Sequence, residues 1–289
     1  MNLCNPSVIR DLMTRAGIRF RHDYGQNFLT DITVPERIAD SCSDREDTVV
    51  IEVGPGIGCL TQELAKRYAR VIAIEIDRGL IPILGETLAD YPQVTVINAD
   101  VMKVDLKELL REQGIDPKKT PVSVCANLPY YITTPILMRL LESDVPFRSI
   151  TVMVQKEVAD RLSALPGTSD YGAITAVLAY YGVTEKLFSV PHTVFMPQPK
   201  VDSAVVQIRL YEDSPYTVKD ENMFFRVLHG AFEMRRKTLT NAVHAKCPEY
   251  SKEQIAEVLR KMGKPEDVRG ERLSCAEFVT LTNGLLALT

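Results

Sequence analysis

The chain has 289 residues, 45% of them hydrophobic and 25% charged, proportions of a folded globular protein that exclude a disordered, collagenous or low-complexity one. Its 34 basic against 38 acidic residues leave a net charge of −4, which rules out a uniformly basic nucleic-acid coat but not a local basic face. Six cysteines without a C-x-x-C pair, and four dispersed histidines, exclude a zinc ribbon or disulfide scaffold and suit a reducing compartment. No apolar run approaches the roughly 18 residues of a membrane span.

Residues 1–22 carry Arg10, Arg15, Arg19 and Arg21 against Asp11 alone, a bias shared with organelle transit peptides. The preferred reading is a short amphipathic helix, capped by Asn5, with Pro6 in its first turn and Ile9, Leu12, Met13 and Ala16 on one face. With no secretory apolar segment there, the protein is expected in the cytoplasm. Thr33 and Glu36 predict a capping box opening a helix through Asp40. Short β-branched runs then alternate with helical periodicity. Strands are predicted at 48–53, 70–76, 94–98, 122–126 and 149–154, and helices at 60–69, 79–89, 134–143, 155–165 and 171–182. Segments 183–190 and 203–210 predict a closing antiparallel pair at a sheet edge.

Strands joined by helices of this length imply βαβ crossovers and a doubly wound, mostly parallel sheet. The fold class expected is α/β, with a Rossmann-like domain of about seven strands. YEDSPYTV (211–218) reads as a linker. Beyond it Phe224, Phe225, Leu228, Phe232 and Leu239 fall at helical spacing, and Ser251 with Gln254 and Ser274 with Glu277 form further capping boxes. The expected domains are therefore 1–211 and a small all-α domain at 212–289.

EVGPGIG (52–58) lies between the first strand of the sheet and the helix that follows. Gly54, Gly56 and Gly58 allow a sharp turn and the close approach of a ligand. Dinucleotides and S-adenosylmethionine both use such turns. The dinucleotide fingerprint G-x-G-x-x-G has Cys59 at its third glycine position here, and the G-x-G-x-G spacing matches the methyltransferase form. Glu75, at the end of the second strand and 21 residues after Gly54, can accept both ribose hydroxyls. Asp100, just after the third, can accept from an adenine amino group. Both stand over the crevice where open α/β sheets bind ligands.

Asn127-Leu128-Pro129-Tyr130, followed by Tyr131, ends the fourth strand. An exocyclic amino group is a poor nucleophile because its lone pair is delocalised into the ring. The Asn127 side-chain oxygen and the Leu128 carbonyl can accept its two N–H bonds and favour a tetrahedral nitrogen. Pro129 sets the turn and Tyr130 offers a stacking face. Acceptors preorganised where positive charge develops are worth roughly 3–4 kcal/mol each.

Together GQNFL (25–29), EVGPGIG, NLPYY, FMPQPKVDSAVV (195–206) and FEMRRKTLTN (232–241) resemble the small-subunit ribosomal RNA adenine dimethyltransferases, from about residue 20 to the C-terminus. The resemblance implies a class I methyltransferase domain in which Asn27, Leu29, Gly54, Gly56, Glu75, Asp100 and Asn127 hold S-adenosylmethionine, released as S-adenosylhomocysteine. It implies that Asn127 to Tyr130 and Phe195 surround the target adenine, Phe195 sandwiching the base against Tyr130. The reaction implied is N6,N6-dimethylation of two adjacent adenosines in the 3′-terminal hairpin of 16S-type rRNA, with a flipped base and no metal. In that setting Arg235, Arg236 and Lys237, placed on the first helix of the small domain, and Lys200 become RNA-backbone contacts, with Lys156 and Arg161 as weaker candidates. Asp23 interrupts the basic residues Arg19, Arg21 and His22 before GQNFL. The partner expected is small-subunit rRNA within a pre-30S-like intermediate, and the enzyme is expected to act as a monomer.

Three rival readings share parts of this pattern. A large-subunit rRNA methyltransferase of the macrolide-resistance type would share the cofactor site, but NLPYY, FMPQPKVDSAVV and RRKTLTN favour the small-subunit group. A non-catalytic assembly or transcription factor would not need Glu75, Asp100 and NLPY intact. A dehydrogenase lacks its third fingerprint glycine here.

Overall fold

A computed structural model describes residues 1–17 and 27–288. The chain divides into two compact units, Met1–Ala159 with Glu185–Glu212, and Asp160–Thr184 with Asp213–Thr289. No helix of the described residues is long and apolar enough to cross a membrane.

The first unit opens with α1 (Pro6–Arg15), capped by Asn5 Oδ1, which accepts from the Ser7 N–H at 2.9 Å. Its buried Ile9, Leu12 and Met13 pack with Leu3, Phe28, Ile57, Leu80 and Ile83, while Ala16 is exposed. Arg19, Arg21, His22 and Asp23 lie outside the described residues, as do Gly25 and Gln26. A two-residue strand β1 (Phe28–Leu29) precedes α2 (Thr33–Asp40). The expected box on α2 is replaced by another device. Asp31 Oδ1 accepts from both the Thr33 N–H (3.0 Å) and hydroxyl (2.8 Å), so an acid two residues upstream does the capping.

The main elements then alternate: β2 (Val49–Val53), α3 (Cys59–Arg67), β3 (Arg70–Glu75), α4 (Ile81–Thr87), β4 (Val94–Asn98), α5 (Leu106–Glu112), β5 (Val122–Asn127), α6 (Thr133–Leu141), β6 (Phe147–Gln155) and α7 (Lys156–Leu162). Only α5 has no counterpart among the predicted elements. Asp105 caps it by accepting from the Glu108 N–H at 3.1 Å, and at seven residues it is too short to show a clear period. After α8 (Ala173–Tyr181) come β7 (Gly182–Val190), β8 (Phe195–Met196) and β9 (Ser203–Leu210).

The seven long strands form one sheet in the order β4-β3-β2-β5-β6-β9-β7. The pairs from β4 to β6 are parallel, and β6–β9 is antiparallel. Every residue of β2 is buried, as expected of a central strand covered on both faces. Chain order reverses between β2 and β5, so the loops leaving these neighbours diverge and open a crevice. The register sets what meets there: Val53 pairs with Ile74 and with Ala126, and Glu75 pairs with Asn98. Gly54, Glu75 and Asn127 thus leave the sheet at one level. Separately, β1 and β8 form a two-stranded sheet in which Leu29 faces Phe195.

The second unit is helical: α8, α9 (Glu221–Glu233), α10 (Leu239–Lys246), α11 (Lys252–Lys261) and α12 (Cys275–Leu286). Both predicted capping boxes, Ser251–Gln254 and Ser274–Glu277, are formed. Sequence alternation gave no sign that Asp160–Thr184 joins this unit rather than the sheet domain. The reason is aromatic packing: Tyr180 lies 4.8 Å from Phe224, Tyr171 5.8 Å from Phe232, and the Tyr171 hydroxyl donates to the Leu273 carbonyl at 2.9 Å. A second correction concerns Arg235, Arg236 and Lys237. They occupy a turn between α9 and α10, where Thr238 ends the helical run by capping α10.

Candidate active site

The strand ends at the β2/β5 reversal open into a cleft within the first unit. Its walls include Asn27, Leu29, Gly54, Gly56, Glu75 and Asn127, six of the seven residues read as cofactor-binding. The glycines divide the work. Gly56 has φ +62°, and a Cβ there would stand 3.2 Å from the Phe28 ring. Gly58, at φ +94°, caps α3, and a Cβ on it would press on Thr87 and Leu88 of the α4 end. One glycine thus keeps the cleft clear and the other brings α3 against α4.

Glu75 is 4% exposed. Its Oε2 accepts from the Gly56 N–H at 3.1 Å and its Oε1 from the Asp77 N–H at 2.8 Å. Burial raises its pKa, and these two backbone donors oppose the rise. Asn98 Nδ2 donates to the Glu75 carbonyl at 2.8 Å, tying the adjacent strand end to it. Next to Glu75, Ile76 is half exposed in the cleft wall, a bare apolar surface suited to a planar ring.

Glu52 was not among the sequence-read site residues, although an acid inside the β-branched run VVIEV is a visible signal. It is 1% exposed and lines the cleft, and its Oε2 has no hydrogen-bond partner among the described residues. Its pKa is pushed up to about 8, by burial first and to a smaller extent by the nearby charge of Glu75. Thr61 offsets this in part, although its hydroxyl makes no hydrogen bond of normal geometry among the described residues. A buried acceptor without a partner is costly, and an ammonium group in the cleft would satisfy it.

At the end of β5, Asn127 Nδ2 donates to the Asn27 carbonyl at 3.4 Å, which turns the amide oxygen away from that bond. The Leu128 side chain is buried and its N–H donates to the Met153 carbonyl at 3.1 Å. The Thr133 hydroxyl donates to the Pro129 carbonyl at 3.2 Å. Tyr130 is half-buried, its hydroxyl 2.7 Å from Ser203 Oγ, whereas Tyr131 is exposed and lines the cleft.

Two of the expected site residues stand apart from the open cleft. Phe195 is only 2% exposed and packs in the core with Leu29, Val34, Met153 and Val205. It offers no face to a base and serves instead as the plug beneath the β1–β8 pair. Asp100 is not part of the cleft wall. Its Oδ1 accepts from the Met102 N–H at 3.0 Å and its Oδ2 lies 3.7 Å from Lys103 Nζ, so it shapes the turn after β4.

The model of the family described as "Ribosomal RNA adenine dimethylase" matches residues 17–280. The chain belongs to that family. Members transfer methyl groups from S-adenosylmethionine to adenines of ribosomal RNA, and this dimethylase does so on the Rossmann-like sheet described above. It is 45% identical over 289 residues to the "Ribosomal RNA small subunit methyltransferase A" of Geobacillus thermodenitrificans, covering 99% of this chain and 98% of that one. Among solved structures, a dimethyladenosine transferase from Plasmodium falciparum superposes with a TM-score of 0.72 at 26% identity, covering 88% of this chain and 95% of that one. The 23S rRNA methyltransferase ErmE gives 0.69 at 26%, covering 89% and 99%.

The basic candidates of the dimethylase differ in their surroundings. Arg235 is engaged inside the second unit: its Nη2 donates to the Ser169 and Tyr171 carbonyls, both at 3.2 Å, and pairs with Glu271 at 3.5 Å. Arg236 and Lys237 are exposed, with no ion pair among the described residues. In the first unit Lys200 is exposed in the loop before β9, and Lys156 opens α7.

Proposed function

We propose that this dimethylase acts on small-subunit rRNA, converting two adjacent adenosines of its 3′-terminal hairpin to N6,N6-dimethyladenosine. The observation that carries this reading is the joint placement of Gly56, Glu75 and Asn127 at the rim of one cleft. The small-subunit choice is supported by the 45% identity across nearly the whole chain, against 26% to the large-subunit enzyme. The remaining parts of the reading are a pre-30S-like intermediate as partner, a monomeric enzyme and a cytoplasmic location.

Glu75 receives the ribose hydroxyls of the cofactor, Ile76 flanks its adenine, and Asp100, two residues past the Asn98 that pairs with Glu75, accepts from the adenine amino group. Gly54, Gly56, Asn27 and Leu29 give the methionine portion room against the backbone, with Glu52 facing its ammonium. The cofactor supplies an electrophilic methyl group. Asn127 Oδ1 and the Leu128 carbonyl accept the two N–H bonds of the target amine, drawing its lone pair out of the ring for in-line attack. Pro129 aims that carbonyl and Tyr130 stacks on the base. Arg236, Lys237 and Lys200 contact the RNA backbone, with Arg235 bracing the turn that carries the first two.

Radiolabelled S-adenosylmethionine with under-methylated small and large subunits, followed by nucleoside analysis, tests this. The expected result is N6,N6-dimethyladenosine in small-subunit rRNA. Label confined to the large subunit overturns the substrate assignment.

A further inference from the structure

We propose that Ser203 is a positioning residue for methyl transfer, its hydroxyl holding the Tyr130 phenol and through it the turn that carries Asn127 and Leu128. This rests on the adenine-binding reading of that turn.

The turn from Asn127 to Tyr130 leaves the sheet at the end of β5 and must keep two acceptors in fixed relation to a nucleophile. Three of its hydrogen bonds bear on that placement. The Leu128 N–H donates to Met153 of β6 at 3.1 Å, the Thr133 hydroxyl to the Pro129 carbonyl at 3.2 Å, and Tyr130 Oη lies 2.7 Å from Ser203 Oγ. The first two act on backbone. Only the third reaches the far tip of a side chain meant to lie flat on a base, and a tether at the tip fixes the direction in which the ring projects from the turn. Tyr131, one residue on, has no such tie among the described residues and is 63% exposed.

The other end of the tether is rigid. Ser203 is 0% exposed, opens β9 and pairs with Gln155 of β6. Its neighbour Asp202 accepts from the His192 N–H at 2.9 Å and faces its Nδ1 at 2.7 Å. The Asp202 carbonyl also accepts from the Lys156 N–H at 2.9 Å. Among the described residues the Tyr130 phenol is the only hydrogen-bond partner of Ser203 Oγ. Either oxygen can be the donor, and burial raises the Tyr130 pKa, which keeps the phenol neutral and able to donate. The segment KVDSAVV therefore has a task within the reaction centre: its serine fixes an aromatic ring that belongs to another motif, 73 residues earlier.

The test is a double-mutant cycle with Ser203→Ala, Tyr130→Phe and both together, read as single-turnover methylation of under-methylated small subunits. Cofactor affinity and urea stability are measured in parallel. Each single variant is expected to slow transfer about tenfold, as a small misplacement of reacting groups does, with cofactor affinity within about twofold of wild type. The double variant is expected to be no slower than the slower single one, because both changes remove the same bond. Tyr130→Phe probes that bond without altering Ser203, so a folding defect in Ser203→Ala leaves the proposal testable. Effects that multiply in the double variant, or wild-type rates in both single variants, overturn it. A wild-type enzyme that labels no small-subunit adenosine fails the underlying reading instead, and that arm is run first.

Discussion

Glu52→Gln isolates one buried titration whose size follows from the structure. Glu52 lies on a central strand at 1% exposure, and burial moves its pKa from the ordinary 4.5 up to about 8. Between these values the folded chain holds a proton that the unfolded chain has lost. Stability is therefore full below about pH 4.5 and falls as pH rises toward about 8. At about 1.4 kcal/mol per pKa unit, the whole window amounts to about 5 kcal/mol, of which about half is lost between pH 5 and pH 7. Glutamine does not titrate, and any penalty for burying its amide is independent of pH. Urea unfolding of both proteins at pH 5, 6 and 7 is thus expected to show the variant gaining about 2–3 kcal/mol on the wild type over that range. Taking the difference removes the titration of Glu75, which burial displaces in the same direction. A difference that stays constant across the range refutes the argument that Glu52 is carried protonated.

The same carboxyl makes cofactor binding proton-linked: an ammonium beside Glu52 favours its charged form, so binding near pH 7 should release protons, seen by calorimetry in two buffers of unequal ionisation enthalpy. Equal enthalpies would dissociate Glu52 from the ligand. Asn127→Ala is expected to slow transfer by about 10²-fold or more, and near-wild-type turnover by the folded variant removes its catalytic assignment. Gly56→Ala puts a methyl 3.2 Å from the Phe28 ring at a φ of +62°. It should cost about 1–2 kcal/mol of stability and weaken cofactor binding, both measurable by denaturation with and without ligand. Arg236→Glu with Lys237→Glu should weaken RNA binding and reduce its salt slope by about 2, whereas Arg235→Ala should mainly lower stability. Equal effects on RNA affinity would contradict that division.

The sheet and its strands were legible because central parallel strands show as short β-branched runs, each closed by a turn signal. Glu75 and Asn127 could be placed from sequence for the same reason, since each ends such a run. The misreadings have a common origin. Periodicity sees one element at a time, so it ran a helix through Arg235–Lys237 that a Thr238 cap interrupts. It also assigned Asp160–Thr184 to the sheet unit, when tyrosine contacts with α9 and the Leu273 segment decide otherwise. Phe195 shows the limit most clearly: a conspicuous aromatic in a proline-rich loop can face a ligand or fill a core. Only its pairing with Leu29, 166 residues earlier, and its place in the core decide between them. Glu52 and Ser203 were missed because their importance lies in an absent partner and in a distant one.

The two-residue sheet of β1 and β8 is small, but it joins segments with different duties. Phe28 pairs with Met196 and Leu29 with Phe195, and the Thr30 N–H extends the join by donating to the Val194 carbonyl at 2.8 Å. The segment Asn27–Leu29 belongs to the cleft wall, while 195–196 begins the loop that leads to Lys200 and Ser203. Displacing either one drags the other by its backbone. Occupancy of the cofactor cleft and the posture of the loop feeding β9 are therefore thermodynamically linked, and linkage is reciprocal. A substitution that loosens residues 195–196 should be felt as weaker cofactor affinity even with no RNA present.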